Sequence, residues 1–496
     1  EATDVTFTFN SVTKEVLTDY KPGGSDGSID RGKLFHNTWN NAYRQPFGAI
    51  AAGETVTLRL AAKKDDLSRA TLYVRNYLTG NTKMVTMEYV GWTEVQGQGS
   101  LEFWEATFTP EGKGVHGYKF IAGDQTAIAE YGEDTLEGEV GKAAESNAGL
   151  FQLTVYDPSY QTPDWMKEAV VYQIFPDRFF NGNTKNDTAK EIARGYEPIE
   201  RPDSWNDLPD NPRIGEKDPA NYTGDGIWSN DFFGGDIAGI HQKLDYLQSL
   251  GVNTLYLNPI AKAASNHKYD ATDFKEVDPM FGSPEEFKAF TEELANRDMH
   301  LILDGVFNHV ADDSIYFDRY GKYETVGAYE YWAKVYDLMN EKGLTQKKAE
   351  QEAHVYFKKD KQKFSRYGFH NWFNIENEKI DLGLPTERYK YQAWWGFDSL
   401  PEIKSIPGKA VSYDSELNNK DFANYIFYEK DSVAKKWLTN GGSGWRLDVA
   451  NEVDMEFWRE FREELKHGKY KRGATLQDGE EPLILGEIWD DASKYF

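Results

Sequence analysis

The stretch GWRLDVANEVD, residues 444–454, decides how this chain is read. Trp445, Leu447, Val449 and Ala450 suit a short buried strand. Arg446 and Asp448 interrupt it two residues apart, so both point to one face. A cation and an anion lose their hydration when buried and need each other, or further partners, in compensation. Their place at the end of an apolar strand therefore asks for a reason.

Working outward, four other segments repeat the pattern. AVVYQIF (169–175) carries Tyr172 and leads to Asp177, and VNTLYLNPI (252–260) carries Asn258. HLILDGVFNH (300–309) ends in Asp304, Asn308 and His309, and PLILGEIW (482–489) ends in Glu487. Helical periodicity separates them. GIHQKLDYLQSLG (239–251) puts Ile240, Leu244 and Leu247 on one face and stops at Gly251. SPEEFKAFTEELANRDM (283–299) opens with Ser283 as N-cap, Pro284 at the first helical position and Glu286 closing a capping box. DFANYIFYEKDSVAKKWLTNGG (421–442) aligns Phe422, Ile426, Val433 and Trp437, and FWREFREELKHG (457–468) follows the opening stretch. Continuous apolar strands alternating with helices predict a parallel sheet covered by helices. The fold class is α/β, a (β/α)8 barrel of which about five βα units are present. Polar strand ends then gather on one rim, where barrel active sites sit. One such end is explained by a structural ion pair. Five in succession are not, because each buried charge needs its own compensation.

Residues 1–155 read differently. DVTFTFNS, ETVTLRLAAK, ATLYVRN, TKMVTMEYV, LEFWEATFT and GVHGYKFIAG alternate apolar with polar residues between Gly, Asp and Asn turns, an antiparallel β-sandwich pattern. The segment 156–166, with two prolines, reads as a linker. The barrel occupies 167–309 and continues over 406–496, where it is truncated. Residues 310–405 break the rhythm and read as an inserted domain.

Composition narrows the function. Among 496 residues, 82 acidic against 56 basic give a net charge of −26, which argues against nucleic acid or an anionic membrane as partner. No run of about 18 apolar residues exists, so no membrane span is expected. Without cysteine there is no disulfide, thiolate nucleophile or Cys-ligated zinc. The chain starts Glu-Ala-Thr with no methionine or apolar leader, which reads as a processed start and favours a secreted or cell-surface location. Fourteen Trp and thirty Tyr supply core, and their flat apolar faces also suit sugar rings.

Two carboxylates beside an Arg suggest glycoside chemistry. Retention of configuration uses an ionised nucleophile and a protonated acid about 5 Å apart. Arg446 is expected to hold Asp448 ionised, and apolar Ile488 and Trp489 to raise Glu487 so that it keeps its proton.

DGVFNH, GWRLDVANE, GEIW, FFGGDIAGI and NHKYD, in that arrangement, resemble the ordered motifs of the α-amylase superfamily. GWRLDVANEVDMEFWREFR most resembles its neopullulanase, cyclomaltodextrinase and amylopullulanase branch, whose extra N-terminal domain the sandwich is similar to (a carbohydrate-binding-like domain). The resemblance implies Asp448 as nucleophile, Glu487 as general acid/base, Arg446 holding Asp448, and Asp304 bracing that Arg. It implies that His309 contacts the sugar in the cleavage subsite and that Tyr269 stacks on its ring. Asn451 and Glu452 stand on the leaving-group side, where Trp489 offers a platform. The inserted segment resembles the family's B domain, and Glu402 of SLPEIK replaces the branch's usual Lys, which puts that position's role in doubt.

NGNTKND (181–187) gathers four side-chain oxygens from Asn and Asp within seven residues, as a hard cation requires, although as a lone pattern it is also an ordinary polar turn. It resembles a family calcium loop, which implies Ca2+ held by Asn181, Asn183, Asn186 and Asp187 with Gly234 and Asp236. The expected activity is retaining hydrolysis of α-1,4, and also α-1,6, glucosidic bonds in starch, pullulan, maltooligosaccharides or cyclodextrins. A transglycosylase of the same fold and a non-catalytic carbohydrate-binding protein are the alternatives. Because five strands leave a barrel open and the family's third carboxylate comes from strand seven, a second polypeptide completing the barrel after Phe496 is also expected.

Overall fold

A computed structural model describes residues 23–490 and 492, apart from 96, 136–137, 195–196, 208, 210–226, 382–386 and 405–418. The strand expected over DVTFTFNS lies outside the described residues. The chain divides into two units, one running to Gln161 and the other over Thr162–Trp489.

In the first unit two β-sheets face each other across an apolar core. One orders Arg44–Gln45, Val56–Lys63, Gly99–Phe108 and Glu88–Val95 side by side. The other is built around Gly114–Asp124, flanked by Arg69–Asn76, Ala127–Gly132 and Phe151–Tyr156. Alternation decides the burial: Leu58, Leu60, Leu72, Phe120, Phe151 and Leu153 turn inward and lose all solvent exposure. TKMVTMEYV, read as one strand, is two. Thr82–Thr86 pairs with Arg69–Asn76 in one sheet, and Glu88–Val95 pairs with Gly99–Phe108 in the other. Met87 between them is buried in the core, so the chain changes sheets around an apolar anchor.

The second unit holds five parallel strands: β1 (Val171–Ile174), β2 (Thr254–Leu257), β3 (His300–Gly305), β4 (Gly444–Leu447) and β5 (Leu483–Gly486). They pair in chain order, β1 to β5. Helices cover the sheet much as their periodicity predicts. Ser283 caps Pro284–Asn296 with the reciprocal Glu286 capping box. GIHQKLDYLQSLG breaks at Lys243 into Ile237–Gln242 and Leu244–Ser249, because the Lys243 amide bonds back to Ile240 and His241 and tightens the turn. Ile240, Leu244 and Leu247 stay fully buried across the break. DFANYIFYEKDSVAKKWLTNGG likewise parts, extended Glu429 separating a π-helical Asn424–Tyr428 from Val433–Thr439.

Between β3 and β4 the insertion folds as two helices, Ala328–Lys342 and Gln346–Lys359, and a hairpin of Ile375–Ile380 with Arg388–Tyr391. It returns to the end of β3: Val310 N–H donates to the Pro401 carbonyl, and Ile403 N–H to that of Asn308. Among the described residues no helix is long and apolar enough to cross a membrane.

One buried ion cluster fixes the turn that carries Tyr269. Asp278 pairs with Lys190 at 2.8 Å and Lys268 at 2.9 Å, and accepts from the Ala263 and Met280 amides. Lys268 is fully enclosed between the Phe232 and Phe281 rings. Removing the anion leaves a buried ammonium uncompensated, so Asp278→Ala is expected to lose about 3–5 kcal/mol in urea denaturation. Lys268→Met should cost much less, because Asp278 keeps Lys190 and two amides.

Candidate active site

Strand register builds the site. Asp304 on β3 lies opposite Arg446 on β4, and Leu447 lies opposite Gly486, so Asp448 and Glu487 leave adjacent strand ends together. Arg446 Nη1 donates to both oxygens of Asp304 and to Oδ1 of Asp448, each at 2.9 Å. Its Nη2 pairs with Glu487 Oε1, whose other oxygen accepts from the Val449 amide at 3.3 Å. Asp304 Oδ2 also accepts from the Tyr256 hydroxyl at 2.6 Å and the Tyr269 hydroxyl at 3.0 Å. Val449, directly after Asp448, holds a left-handed backbone (φ 41°), an uncommon conformation for a β-branched residue and strain of the kind that collects at functional sites.

The charges do not balance. Three carboxylates share one guanidinium. Burial raises Asp448 to about 7, neighbouring Asp304 and Glu487 add to the rise, and Arg446 opposes it without prevailing. Burial likewise raises Asp304 to about 6 against the pull of Arg446 and the Tyr256 hydroxyl. Burial works against the Arg446 charge, but Asp304, Tyr256 and Asp448 outweigh it and hold the cation firmly charged. Against the expectation that Arg446 holds Asp448 ionised, burial and the two neighbouring carboxylates leave its carboxyl raised. The apolar enclosure expected for Glu487 is also missing: the residue is partly exposed, and Trp489 is 64% exposed.

Tyr269 holds Asp304 with its hydroxyl. His309 is almost completely buried, bonded through Nε2 to the Tyr269 carbonyl at 3.0 Å, with the Trp394 ring stacked over it at 4.9 Å. Burial pulls its imidazole down to about 4, so it is neutral. Asn451 and Glu452 follow Asp448 in a single helical turn, Ala450–Glu452, half-buried.

Sequence reading missed Tyr256 and the Trp394–Trp395 pair. Tyr256 was legible as the large polar-tipped side chain between the two leucines of TLYL. The indoles come from the insertion, whose position relative to the strands has no local signature. Trp395 stacks on Trp394 at 5.2 Å, meets Trp489 edge-on at 5.5 Å, and directs its indole N–H to Glu452 at 3.4 Å. Asp177, grouped with the rim from sequence, serves elsewhere: fully enclosed, it accepts the amides of Phe233 and Gly234 and pins the FFGGD turn.

The alpha amylase catalytic-domain family model matches residues 173–496. The chain belongs to the alpha-amylase family. It is 42% identical to an amylopullulanase of Thermoanaerobacterium saccharolyticum over 99% of this chain and 34% of that protein. It is 31% identical to neopullulanase 2 of Thermoactinomyces vulgaris over 93% of this chain and 61% of that one. Among solved structures, the type III pullulan hydrolase from Thermococcus kodakarensis is 25% identical, with a TM-score of 0.46 over 92% of this chain and 61% of that chain. The chain thus spans about a third of the length of the amylopullulanase it matches.

The NGNTKND loop of this alpha-amylase family chain gathers part of the expected ligand set. Asn181 and Asn186 each bury a side-chain oxygen with no hydrogen-bond partner. Asn181 Nδ2 lies against the Asp187 carboxylate at 2.9 Å, and Gly234 (φ 82°) packs so tightly there that a Cβ would come within 2.8 Å of that carboxylate. Burial and the nearby Asp236 charge raise Asp187. Orphaned oxygens beside carboxylates are the donor set a hard cation uses, so these residues fit calcium. Two expected ligands are otherwise engaged. Asn183 Nδ2 donates to Glu286 at 3.1 Å, and its Oδ1 accepts the Lys185 amide at 3.2 Å. Asp236 caps Ile237–Gln242 through Gly239 and accepts the Gly182, Asn183 and Asn186 nitrogens. Among the described residues no group of three His, Asp or Glu is arranged to hold a metal.

The excess negative charge gives a stability prediction. Folded Asp448 titrates near 7 against about 3.9 for an exposed aspartate, so the folded state binds that proton more tightly. Its contribution is greatest at acid pH, falls as pH rises from about 4 to 7, and is lowest above. Asp448→Asn never ionises. Its Tm should exceed that of the unaltered protein by about 2–6 °C at pH 8, with the gap narrowing at pH 5. Equal Tm values at both pH values would contradict the electrostatic account.

Proposed function

We propose that this chain carries the catalytic centre of a retaining hydrolase of α-glucans, with Asp448 as nucleophile and Glu487 as general acid/base. The observation that carries the reading is a single guanidinium, Arg446, gripping both carboxylates at neighbouring strand ends. One fork spanning both suits the ~5 Å separation of retaining enzymes. An Asp448 oxygen attacks the anomeric carbon while Glu487 protonates the departing glycosidic oxygen. Glu487 then takes a proton from water, which displaces Asp448 and restores the original configuration. Arg446 orients Asp448, and Asp304, held by two tyrosine hydroxyls, fixes Arg446 in turn.

The substrates in this reading are α-1,4 and α-1,6 glucosidic bonds of starch, pullulan and maltooligosaccharides. The relatives named amylopullulanase and neopullulanase support it. The five sequential strands take the place of the first five of an eight-stranded barrel, a reading supported by their parallel order and by the family match.

Asp448→Asn should reduce maltooligosaccharide hydrolysis to below about 10⁻⁴ of the unaltered rate. Glu487→Gln should lose roughly 10²–10⁴-fold on the same substrate and far less on α-glucosyl fluoride, whose leaving group needs no proton. Near-normal turnover by either variant would reverse the assignment. In kcat/KM, ionisation of Asp448 sets an acid limb near pH 7, and Asp304→Asn, by removing a neighbouring negative charge, should move that limb to lower pH.

We further propose that Asn181, Asn186 and Asp187, with the Gly234 backbone, hold a calcium ion. It would neutralise Asp187 and pin the loop after β1. Chelation should lower Tm while leaving the low-temperature rate unchanged, and an identical melting curve in chelator would contradict the site.

A further inference from the structure

Three adjacent strands bring one polar side chain each to the centre of the strand-end cluster. Tyr256 on β2 lies opposite Ile302, and the period of two puts Ile302 and Asp304 on one face, so Tyr256 stands diagonal to Asp304. Asp304 in turn lies opposite Arg446 on β4. The Tyr256 hydroxyl donates to Asp304 Oδ2 at 2.6 Å, the shortest bond that carboxylate makes, and its ring centre lies 6.0 Å from the Arg446 guanidinium.

The Asp304 side chain is fully enclosed, and its surroundings decide its charge. Arg446 Nη1 donates to both oxygens, the Tyr256 and Tyr269 hydroxyls donate to Oδ2, and Asp448 stands on the far side of the guanidinium. Burial pushes the Tyr256 hydroxyl far above its ordinary value, and the Asp304 charge adds to the rise, so it remains a donor. Tyr269 reaches the same oxygen at 3.0 Å from a turn, whereas Tyr256 reaches it from a strand paired on both sides. Asp304 and Asp448 compete for one nitrogen, because Arg446 Nη1 serves both. A charged Asp304 takes part of the cation and repels Asp448. A neutral Asp304 does neither.

We propose that Tyr256 is a positioning residue of the reaction: by donating to Asp304 from a rigid strand it keeps Asp304 charged and bound to Arg446, and so sets how much of the one guanidinium remains for Asp448. This role rests on the reading of Asp448 as nucleophile. Its sign follows from the charges. Without the Tyr256 hydroxyl, Asp304, already raised to about 6 by burial, holds its proton to higher pH. Neutral Asp304 no longer opposes ionisation of Asp448, so the acid limb of kcat/KM moves down. Arg446 loses part of its brace at the same time, so kcat falls.

The test is a double-mutant cycle in the full chain, Tyr256→Phe and Asp304→Asn singly and together, read in two ways. Phe keeps the ring beside Arg446 and removes only the donor. In thermal unfolding, the contribution of folded Asp304 falls as pH rises from about 4 to 6, and loss of the donor deepens that fall. Tyr256→Phe should therefore lower Tm more at pH 8 than at pH 5. With Asp304→Asn present the two losses should be equal, because an amide does not ionise. In maltooligosaccharide hydrolysis, Tyr256→Phe should move the acid limb down by about 0.5–1 pH unit and cut kcat about tenfold, with KM within about twofold. In Asp304→Asn it should move the limb no further. A Tm loss equal at both pH values with Asp304 in place, or a limb shift that persists in Asp304→Asn, would overturn the proposal, since Tyr256 would then act by packing or on another group. A pH-dependent Tm loss that Asp304→Asn removes, in a chain that hydrolyses nothing, would sustain the hold of Tyr256 on Asp304 and sink the hydrolase reading.

Discussion

Everything at the strand ends depends on one guanidinium. Arg446 is the only cation ion-paired with Asp304, Asp448 or Glu487 among the described residues, and it bonds all three. Register makes this possible, because Arg446 and Asp304 are paired positions on adjacent strands, about 4.8 Å apart. The pull of one cation cannot cancel three buried anions. The residue of that conflict is a carboxyl group, Asp448, raised to about 7 and followed by the left-handed backbone at Val449. Such local cost is tolerated where it prepares chemistry.

Around this centre the chain uses buried charge as scaffolding. Asp177 fixes the FFGGD turn through two amides, Asp236 caps the next helix, and Asp278 locks Lys190 and Lys268 beneath the Tyr269 turn. Each anion ends with several donors, as burial demands. The acidic composition therefore has two parts, a solvated surface and a set of interior carboxylates that position loops.

Much of this was legible in the sequence. Apolar strands with polar ends, and helices with caps such as Ser283–Glu286, are local signals, and the structure carries them. What failed were properties set by distant partners. TKMVTMEYV reads as one strand, yet Met87 is drawn into the core and splits it between sheets. Arg446 beside Asp448 reads as a simple pair, yet Asp304 and Glu487, 142 and 41 residues away, compete for the same guanidinium. Trp394 and Trp395 become site neighbours only because the insertion folds back onto β3, a contact with no trace in local periodicity.

The central claim is that Asp448, held by Arg446, forms the covalent bond. Incubation with a 5-fluoro-α-glucosyl fluoride, followed by proteolysis and mass spectrometry, tests it most directly. The fluorine slows both steps while the fluoride leaving group still allows the first, so the glycosyl-enzyme accumulates. The account predicts one added glycosyl mass on the peptide containing Asp448. A label on Glu487, or steady release of sugar with no labelled peptide at any time, would contradict it.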